Sequence, residues 1–552
     1  MLETYVLETG ARTTLAGPVA CVSEDCVLML TTGPVFPQES ILHLIKMELR
    51  MSKDMGKTWG QPKVLVQGNA TGAPFAYALL KLANGRLLAI YGMYSHYSPD
   101  HDSTKCKMPA FQIISDDGGL TWSEPTLLPT GETYISSVLS CIQLSNQRVV
   151  FPFGFLTGSK GKFVVSALYS DDNCITWHRS KTTLDVGGNG FESGGCEPTC
   201  VELPNGRIWM LIRAQTGTQW QSFSSDNGET WEPGAHSKIL SSNSPAVMHR
   251  LHNGNIVIVW NNAVYNAYAR HSLATALTSD GISFYGLREL AHIDYPVASP
   301  EIYWGAMYPY IVEAPNGKII VTYNVGDWNY NHLRIALIDQ EWFAQKKVSE
   351  DFSDGLKHWS CLGSASYAIG ATSDITGPED SRPGASLFIK DIGKGKYGAV
   401  RSFPLIRSGL IETAMTVCQP NAYLLLHDSF LKPGWYDEAC LRLRFAEDGT
   451  IYAAAGIPQI KRADLPGGCA AYSYLAYPTG TEKKYSNKIQ LGQRFSLNIQ
   501  CCLDDNKVFL IINDGPKLPI QIPDILGFSY MGVAASDEGA VKIRRINWLV
   551  YD

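Results

Sequence analysis

A short pattern that recurs five times at nearly constant spacing constrains this fold more than any other feature of the sequence. It is clearest in "SDDGGLTWS", which begins at Ser115, and related stretches begin at Met51, Tyr169, Ser224 and Thr278. The aspartates of the five copies are separated by 63, 55, 54 and 54 residues. Similarity at a fixed period of this length predicts an array of repeated structural units.

A second pattern alternates with the first and predicts β-hairpins. Turn residues precede apolar runs in "LANGRLLAIYG", "LSNQRVVFPF", "LPNGRIWMLIR", "LHNGNIVIVW" and "APNGKIIVTY". Asn-Gly between apolar runs is a strong hairpin signal, because both residues accept positive φ at little cost. Each period therefore contains several short antiparallel strands, which is typical of a propeller blade. We predict an all-β protein in which residues 1–347 form a six-bladed β-propeller.

The repeated box itself is predicted to be scaffold. An Asp side chain accepts hydrogen bonds from nearby backbone N–H groups, Gly permits a left-handed turn, and Trp packs between neighbouring sheets. Five copies dispersed over different blades cannot all point the same residues at one substrate. Loss of a box residue is therefore expected to lower stability rather than activity.

The pattern changes beyond Ser349. Alternating strands without the box follow, as in "ACLRLRFAEDGTIYAAAG" and "VKIRRINWLVYD". We predict that residues 349–552 form a separate antiparallel β-sandwich of the lectin or laminin-G-like jelly-roll kind. Such a domain either binds sugar or braces the propeller, and the sequence does not rank these alternatives.

Composition narrows the class of partner. The formal charge of −6 disfavours nucleic acid and anionic membrane surfaces. No apolar run approaches the roughly 18 residues of a membrane span, and the first residues resemble no signal peptide. We expect a cytoplasmic protein, or a secreted one if a leader has been removed. The 13 cysteines are scattered through strand-like runs and are expected to be reduced.

Functional residues of a propeller come from different blades and meet where the innermost strands converge. Glu197 precedes the hairpin "LPNGRIWMLIR", and Arg213 ends it. Arg270 precedes the last box, and Tyr308 precedes the last hairpin. Other interpretations remain open: a structural ion pair for Glu197 with Arg213, a rim charge for Arg270, and plain packing for Tyr308.

The first 345 residues or so resemble the exo-sialidases, the Asp-box superfamily of six-bladed propellers. The resemblance implies that Tyr308 is a nucleophile, that Glu197 is the base that activates it, and that Arg213 and Arg270 belong to a carboxylate-binding arginine triad. This set suits sialic acid, whose anomeric carbon carries a carboxylate. Arg forks hold carboxylates bidentately, and a neutral phenol avoids the repulsion that an anionic nucleophile would meet.

Two positions depart from the pattern that the resemblance implies. Ala16 or Gly17 lies where the first arginine of the triad belongs, and Arg12 is out of register. The acid that the family carries before its first box has no clear counterpart, and Glu39 is the nearest carboxylate. We therefore expect an incomplete triad and assign acid catalysis to Glu39.

An insertion after the second inner strand, "YGMYSHYSPDHDSTKC", adds polar candidates. His96 and Asp102 are predicted to contact substrate, with Asp100 and His101 beside them. The same composition is also compatible with a solvent-exposed surface loop that has no role in binding. The stretch "CEPTC" lacks the further ligands of a zinc site. We predict no metal and no cofactor.

The sequence thus predicts a hydrolase that removes a terminal acidic sugar, sialic acid or a related sugar, from a glycan or oligosaccharide. One alternative is a propeller lyase that acts at a uronate, in which His or Tyr removes the proton next to the carboxylate. Another is a glycan-binding protein without catalysis. The sequence does not specify the sugar, the linkage or the oligomeric state.

Overall fold

The computed structural model describes most of the chain. The described ranges are residues 1–11, 14–33, 39–136, 140–190, 192–263, 270–293, 305–326, 330–362, 369–370, 386–391, 397–431, 436–463 and 472–551. Their regular structure is β-strand, apart from short 3-10 helices at Glu39–Leu44, Gln340–Trp342 and Leu503–Asp505. This composition confirms the all-β class.

The first part of the chain forms six antiparallel sheets that follow one another as blades. The first strand, β1 (Leu2–Ala11), belongs to the last blade. Blade one contains β2 (Leu15–Cys21), β3 (Val27–Gly33), β4 (Lys46–Ser52) and β5 (Lys63–Gln67). Blade two contains β6 (Ala73–Lys81), β7 (Leu87–Tyr94), β8 (Ala110–Ser115) and β9 (Thr126–Leu127).

The third and fourth blades continue this order. Blade three contains β10 (Ile135–Ser136), β11 (Ile142–Gln143), β12 (Val149–Thr157), β13 (Lys162–Ser170) and β14 (His178–Arg179). Both β10 and β11 pair with β12, so together they form the first strand of this blade. Blade four contains β15 (Cys196–Glu202), β16 (Ile208–Arg213), β17 (Thr218–Ser224) and β18 (Ala235–Leu240).

The last two blades complete the ring. Blade five contains β19 (Val247–Arg250), β20 (Ile256–Asn261), β21 (Ser272–Thr278) and β22 (Phe284–His292). Blade six contains β23 (Gly305–Glu313), β24 (Ile319–Gly326), β25 (Tyr330–Ile338) and β1. The two ends of the propeller meet in this blade, because β1 pairs antiparallel with β25. The predicted six-bladed propeller is therefore confirmed.

The five boxes occupy equivalent turns, each after the third strand of its blade. In the fourth blade, Ser224 Oγ accepts a hydrogen bond from the backbone N–H of Gly228 at 2.8 Å. Asp226 accepts from the backbone N–H of Thr230 at 2.9 Å and from its hydroxyl at 2.6 Å. Gly228 has a φ of 89°, a conformation that favours glycine. These contacts are the scaffold role that the sequence predicted.

The remaining strands form two larger sheets and a small hairpin. One sheet contains β26 (Lys347–Glu350), β28 (Ile369–Gly370), β29 (Leu387–Lys390), β31 (Ser408–Gln419), β38 (Arg494–Cys502), β39 (Lys507–Ile512), β40 (Leu518–Gln521) and β42 (Ala540–Val550). The other contains β27 (Ser360–Leu362), β30 (Tyr397–Ile406), β32 (Ala422–His427), β33 (Leu441–Phe445), β34 (Thr450–Ala455), β37 (Lys483–Lys488) and β41 (Phe528–Ala535). The hairpin pairs β35 (Gln459–Ala463) with β36 (Tyr472–Ala476).

The two larger sheets share one apolar core. Ile411 and Trp548 from one sheet belong to the same buried cluster as Leu424 and Met531 from the other. Burying both inner faces in this way is the basis of a sandwich. The residue at which the propeller ends, and the kinship with lectin or laminin-G domains, stay predictions.

The sandwich contacts the propeller directly. The hydroxyls of Ser272 in β21 and Tyr530 in β41 lie 2.7 Å apart, and the backbone N–H of Phe430 donates to the carbonyl of Asn262. Apart from Cys361, the cysteines within the described ranges are free thiols, and no described helix has the length and apolarity needed to span a membrane.

Candidate active site

A cavity of about 180 Å³ lies where the innermost strands of five blades converge. The side chains that line it come from strands far apart in sequence: Leu15, Ala16, Thr32, Phe75, Ala76, Tyr77, Met108, Tyr134, Ile135, Ser136, Glu197, Tyr308 and Tyr310. Within this described lining, Glu197 is the one carboxylate. The cavity therefore combines an aromatic wall with a single ionisable acid.

The backbone has the same kind of irregularity at Glu197 and at Tyr308. Each lies at a register shift of the first strand of its blade, and each has positive φ, 44° for Glu197 and 50° for Tyr308. Each also precedes a proline, Pro198 or Pro309, a position where extended backbone is normally preferred. Positive φ is uncommon outside glycine and concentrates at functional sites. The first strands of blades one and two also contain register shifts, so it is the positive φ that distinguishes Glu197 and Tyr308.

The carboxylate of Glu197 forms an ion pair with Arg213. Oε2 of Glu197 lies 2.5 Å from Nη1 of Arg213, and both side chains are largely buried. Nε of Arg213 donates to Oδ1 of Asn243 at 2.8 Å. Burial alone would lower the pKa of Arg213, but the Glu197 carboxylate raises the pKa well above its usual value. The guanidinium thus remains charged and holds Glu197 in a fixed orientation.

The ring of Tyr308 lies below the guanidinium group of Arg270. The guanidinium carbon of Arg270 is 5.1 Å from the centre of the Tyr308 ring, and Arg270 is only 2% exposed. Burial raises the pKa of Tyr308, and the nearby Glu197 carboxylate raises it further, whereas Arg270 and Arg213 act in the opposite direction. The net shift is upward, so the phenol is neutral at neutral pH.

Arg270 packs against the first strand of blade six, and the residue that follows it contacts the sandwich. The backbone carbonyl of Arg270 accepts a hydrogen bond from the N–H of Ala306 at 2.9 Å. Gly305 permits this close approach, because a Cβ there would lie 2.2 Å from the Cβ of Arg270. The next residue, His271, stacks on Phe430 of the sandwich with ring centres 6.3 Å apart. The sandwich thus contacts the residues that follow Arg270.

Three tyrosines complete the wall around Glu197: Tyr77 and Tyr310 are buried, and Tyr134 is half-buried. Tyr77 donates its hydroxyl hydrogen to the carbonyl of Ile135 at 2.7 Å. Burial raises the pKa of Tyr77, Tyr134 and Tyr310 well above 10, and the charge of Glu197 contributes in each case. No motif in the sequence predicted a role for Tyr77 or Tyr134. Tyr77 lies just before the hairpin of the second blade, as Glu197 lies just before the hairpin of the fourth blade. This equivalence of position between blades was the signal that could have identified Tyr77.

The structure brings four predicted residues together and leaves others apart. Glu197, Arg213, Arg270 and Tyr308 converge from blades four, five and six, whereas His96 and Asp102 are not in the described lining of the cavity. His96 pairs with Lys107 in a β-bridge, and Asp102 accepts hydrogen bonds from Thr104. The loop reaches the cavity wall through two rings: Tyr97 lies 5.3 Å from Tyr134, and Tyr94 lies 6.4 Å from Phe75.

The structure describes some of the positions that depart from the sialidase pattern. Ala16 lines the cavity, and a Cβ at Gly17 would lie 2.3 Å from the carbonyl oxygen of Leu30. Gly17 therefore has no room for an arginine. Glu39 begins a 3-10 helix, but its side chain and Arg12 lie outside the described residues. The assignment of acid catalysis to Glu39 stays a prediction.

Comparison with known proteins shows the family to which part of this sequence is similar. The BNR repeat-like domain matches residues 43–321, just over half of the chain. A sialidase of Micromonospora viridifaciens is 26% identical over 206 residues, and a sialidase of Paraclostridium sordellii is 24% identical over 215 residues. These matches cover 33% and 35% of this chain, and the chain spans only 30% and 51% of those two relatives.

Solved structures give a more distant likeness. A mutant of Trypanosoma rangeli sialidase that displays trans-sialidase activity is 12% identical, with a TM-score of 0.48. That similarity covers 99% of this chain and 95% of the other.

Proposed function

The chain belongs to the family of BNR repeat-like domains, and from that premise we propose that it is an exo-acting glycoside hydrolase of the sialidase type. Its substrate is the terminal acidic sugar of a glycan, sialic acid or a close relative. Similarity to two sialidases at 26% and 24% identity supports the reaction class. The residues that perform the reaction are proposed from the geometry of the cavity.

One observation carries the proposal. Glu197 and Tyr308 are separated by 111 residues, yet both line the same small cavity, and each belongs to a register shift with positive φ. Arg213 and Arg270 each contact one of the two. A structural ion pair explains Glu197 with Arg213, but it gives no reason for the matching positive φ of Tyr308.

In the proposed reaction, Oη of Tyr308 attacks the anomeric carbon, and its proton passes to the carboxylate of Glu197. The bond to the leaving sugar breaks, its oxygen takes a proton from the general acid, the role predicted for Glu39, and a tyrosyl glycoside is formed. Water then attacks the same carbon and gives a proton back to that acid, and the phenolate of Tyr308 leaves and recovers its own proton from Glu197. Two displacements at one carbon give overall retention of configuration.

The guanidinium groups account for the preference for an acidic sugar. Arg213 and Arg270 place two positive charges beside a cavity that contains one described carboxylate. A substrate carboxylate would accept hydrogen bonds from a guanidinium fork, in a site largely screened from water. Because Arg213 already contacts Glu197, we assign Arg270 the larger share of substrate binding.

The products test the proposal directly. The protein is incubated with an α-linked sialoside and, separately, with a uronate-containing polysaccharide, and the released sugar is analysed by NMR. We expect a free, saturated acidic sugar that first appears with retained configuration, and its release should be lost in Glu197→Gln. An unsaturated uronate that absorbs in the ultraviolet would identify a lyase instead.

A second candidate is a glycan-binding protein without hydrolysis. It is favoured by the cavity's described lining, which contains no second carboxylate to serve as the general acid. In that case the sialoside would bind saturably and remain intact. Binding without release over many hours would replace the hydrolase proposal with this one.

A further inference from the structure

A second and larger cavity lies between the propeller and the sandwich. Its volume is about 710 Å³, compared with about 180 Å³ for the candidate active site, and the two share no lining residue. The propeller contributes β22 and Arg334 of β25 to its wall, and the sandwich contributes Arg401–Pro404. Ligand sites commonly have this size and occur between domains. We call it the inter-domain cavity.

Positive charge dominates the wall of this cavity. Arg288, Arg334, Lys357 and Arg401 line it, together with the single described carboxylate of Glu289. That carboxylate already contacts Nδ1 of His292 at 2.8 Å. A second carboxylate, Glu350, contacts Arg401 from outside the lining. The four cations therefore exceed the carboxylates beside them, in a protein whose overall charge is negative.

Arg288 is the most informative of these residues. It is 7% exposed, and its guanidinium lies 3.6 Å from the centre of the Trp342 ring. Its hydrogen bonds go to the neutral oxygens of Gln345 and Trp342, and within the described residues it has no carboxylate partner. Burial lowers the pKa of Arg288 to about 9. A buried charge without a counter-ion is costly, so this position calls for an anion.

Two further guanidinium groups are also incompletely satisfied. Arg334 lies beside the hydroxyl of Tyr323, which is a neutral partner. The Nε atoms of Arg288, Arg334 and Arg401 are buried without a hydrogen-bond partner. Buried polar groups are almost always paired in proteins. Unpaired Nε atoms also occur elsewhere in the described chain, as at Arg50 and Arg207, so what distinguishes this wall is that three of them lie around one cavity.

We propose that the inter-domain cavity binds an oxoanion: a carboxylate, sulfate or phosphate group, either free or carried by a sugar. Guanidinium forks hold such groups through paired, charge-assisted hydrogen bonds. The bound anion would neutralise Arg288 and link the propeller to the sandwich. This site is independent of the glycosidase proposal, because it shares no residue with the candidate active site.

The test measures binding by isothermal titration calorimetry, with inorganic phosphate and a free acidic sugar as separate probes. Arg334→Gln removes one cation from a half-buried position, and Lys357→Gln removes another from an exposed one. Arg207→Gln is the matched control, because Arg207 pairs with Glu232 on the surface of blade four. Every titration is repeated in Arg213→Gln, which removes an arginine from the candidate active site.

We expect one saturable site that persists in Arg213→Gln and Arg207→Gln and weakens at least tenfold in Arg334→Gln or Lys357→Gln. Binding of phosphate alone would identify a free anion as the ligand, and binding of the sugar alone would identify an acidic glycan. The proposal is overturned if neither probe binds to the unchanged protein. It is equally overturned if binding is unchanged by both cavity substitutions.

Discussion

Oε2 of Glu197 lies 2.5 Å from Nη1 of Arg213, so the candidate base and a candidate substrate-binding residue form one buried ion pair. Both residues belong to the hairpin of β15 and β16, in which Cys196 of β15 is the register partner of Arg213. Neither residue can be changed without affecting the other. Their energies are therefore expected to be strongly coupled.

A double-mutant cycle measures this coupling. Arg213→Gln leaves the carboxylate of Glu197 buried without a counter-ion, and we expect a loss of about 3–5 kcal/mol in the free energy of unfolding. Glu197→Gln/Arg213→Gln removes both charges and should lose less than the two single variants combined. Urea denaturation of the four proteins gives the values. Strictly additive losses would contradict the ion pair.

The scaffold role of the boxes is tested in the fourth blade. Ser224→Ala removes the acceptor for the backbone N–H of Gly228, and we expect about 1–3 kcal/mol of lost stability, the usual cost of an unsatisfied buried donor. The adjacent Ser225 is exposed, so Ser225→Ala is a matched control that should change stability by less than about 0.5 kcal/mol. Turnover of the folded fraction should be unchanged in both. A large loss of turnover in folded Ser224→Ala would give the box a functional role.

The buried tyrosines predict a specific response to alkali. Burial raises the pKa of Tyr310 well above 10, whereas the unfolded chain ionises its tyrosines at about 10. The stability that follows is complete below about pH 10 and is lost as the pH rises beyond that value. We expect the melting temperature to fall less steeply above pH 10 in Tyr310→Phe than in the unchanged protein. The exposed Tyr551 provides the control, since Tyr551→Phe should not alter the slope.

Much of this fold was accessible from the sequence because its determinants are local. The Asp54 to Asp280 boxes and the Asn-Gly turns each specify a short segment, and their period specifies the blade. The convergence of Glu197, Arg213, Arg270 and Tyr308 was also anticipated, through resemblance to sialidases. The bulges at Glu197 and Tyr308 were not, although an X-Pro pair stands in the sequence at both positions.

Other features depend on long-range packing that no local pattern encodes. The sequence predicted that His96 and Asp102 contact substrate. In the structure, the backbone of their loop pairs through Lys107, and neither residue is in the described lining of the cavity. The contact of Phe430 with His271 joins residues more than 150 positions apart. Nothing in either segment alone indicates its partner.

The sandwich is expected to influence substrate binding through Arg270. Ser272 contacts the hydroxyl of Tyr530, and His271 stacks on Phe430, directly after Arg270 in the chain. Tyr530→Phe deletes the hydroxyl that contacts Ser272 and should raise KM for the acidic substrate about two- to tenfold with little change in kcat. Phe430→Ala should raise it further, and Phe430→Leu should restore part of the loss.

Tyr423→Phe is the control for this effect. Tyr423 also loses a hydroxyl that contacts a serine, but its partner, Ser536, lies within the sandwich. Its KM should remain that of the unchanged protein. Equal KM values in all four variants would show that the sandwich does not position Arg270.

The central claim is that Tyr308 becomes covalently bonded to the sugar, and one measurement tests it. The protein is treated with a 2,3-difluoro derivative of sialic acid, in which one fluorine is a good leaving group and the other slows hydrolysis of the intermediate. Peptide mass mapping should then find one added sugar on Tyr308, and Tyr308→Phe, with its fold intact, should show neither adduct nor turnover. A sugar attached to a different residue, or full turnover in Tyr308→Phe, would contradict the account.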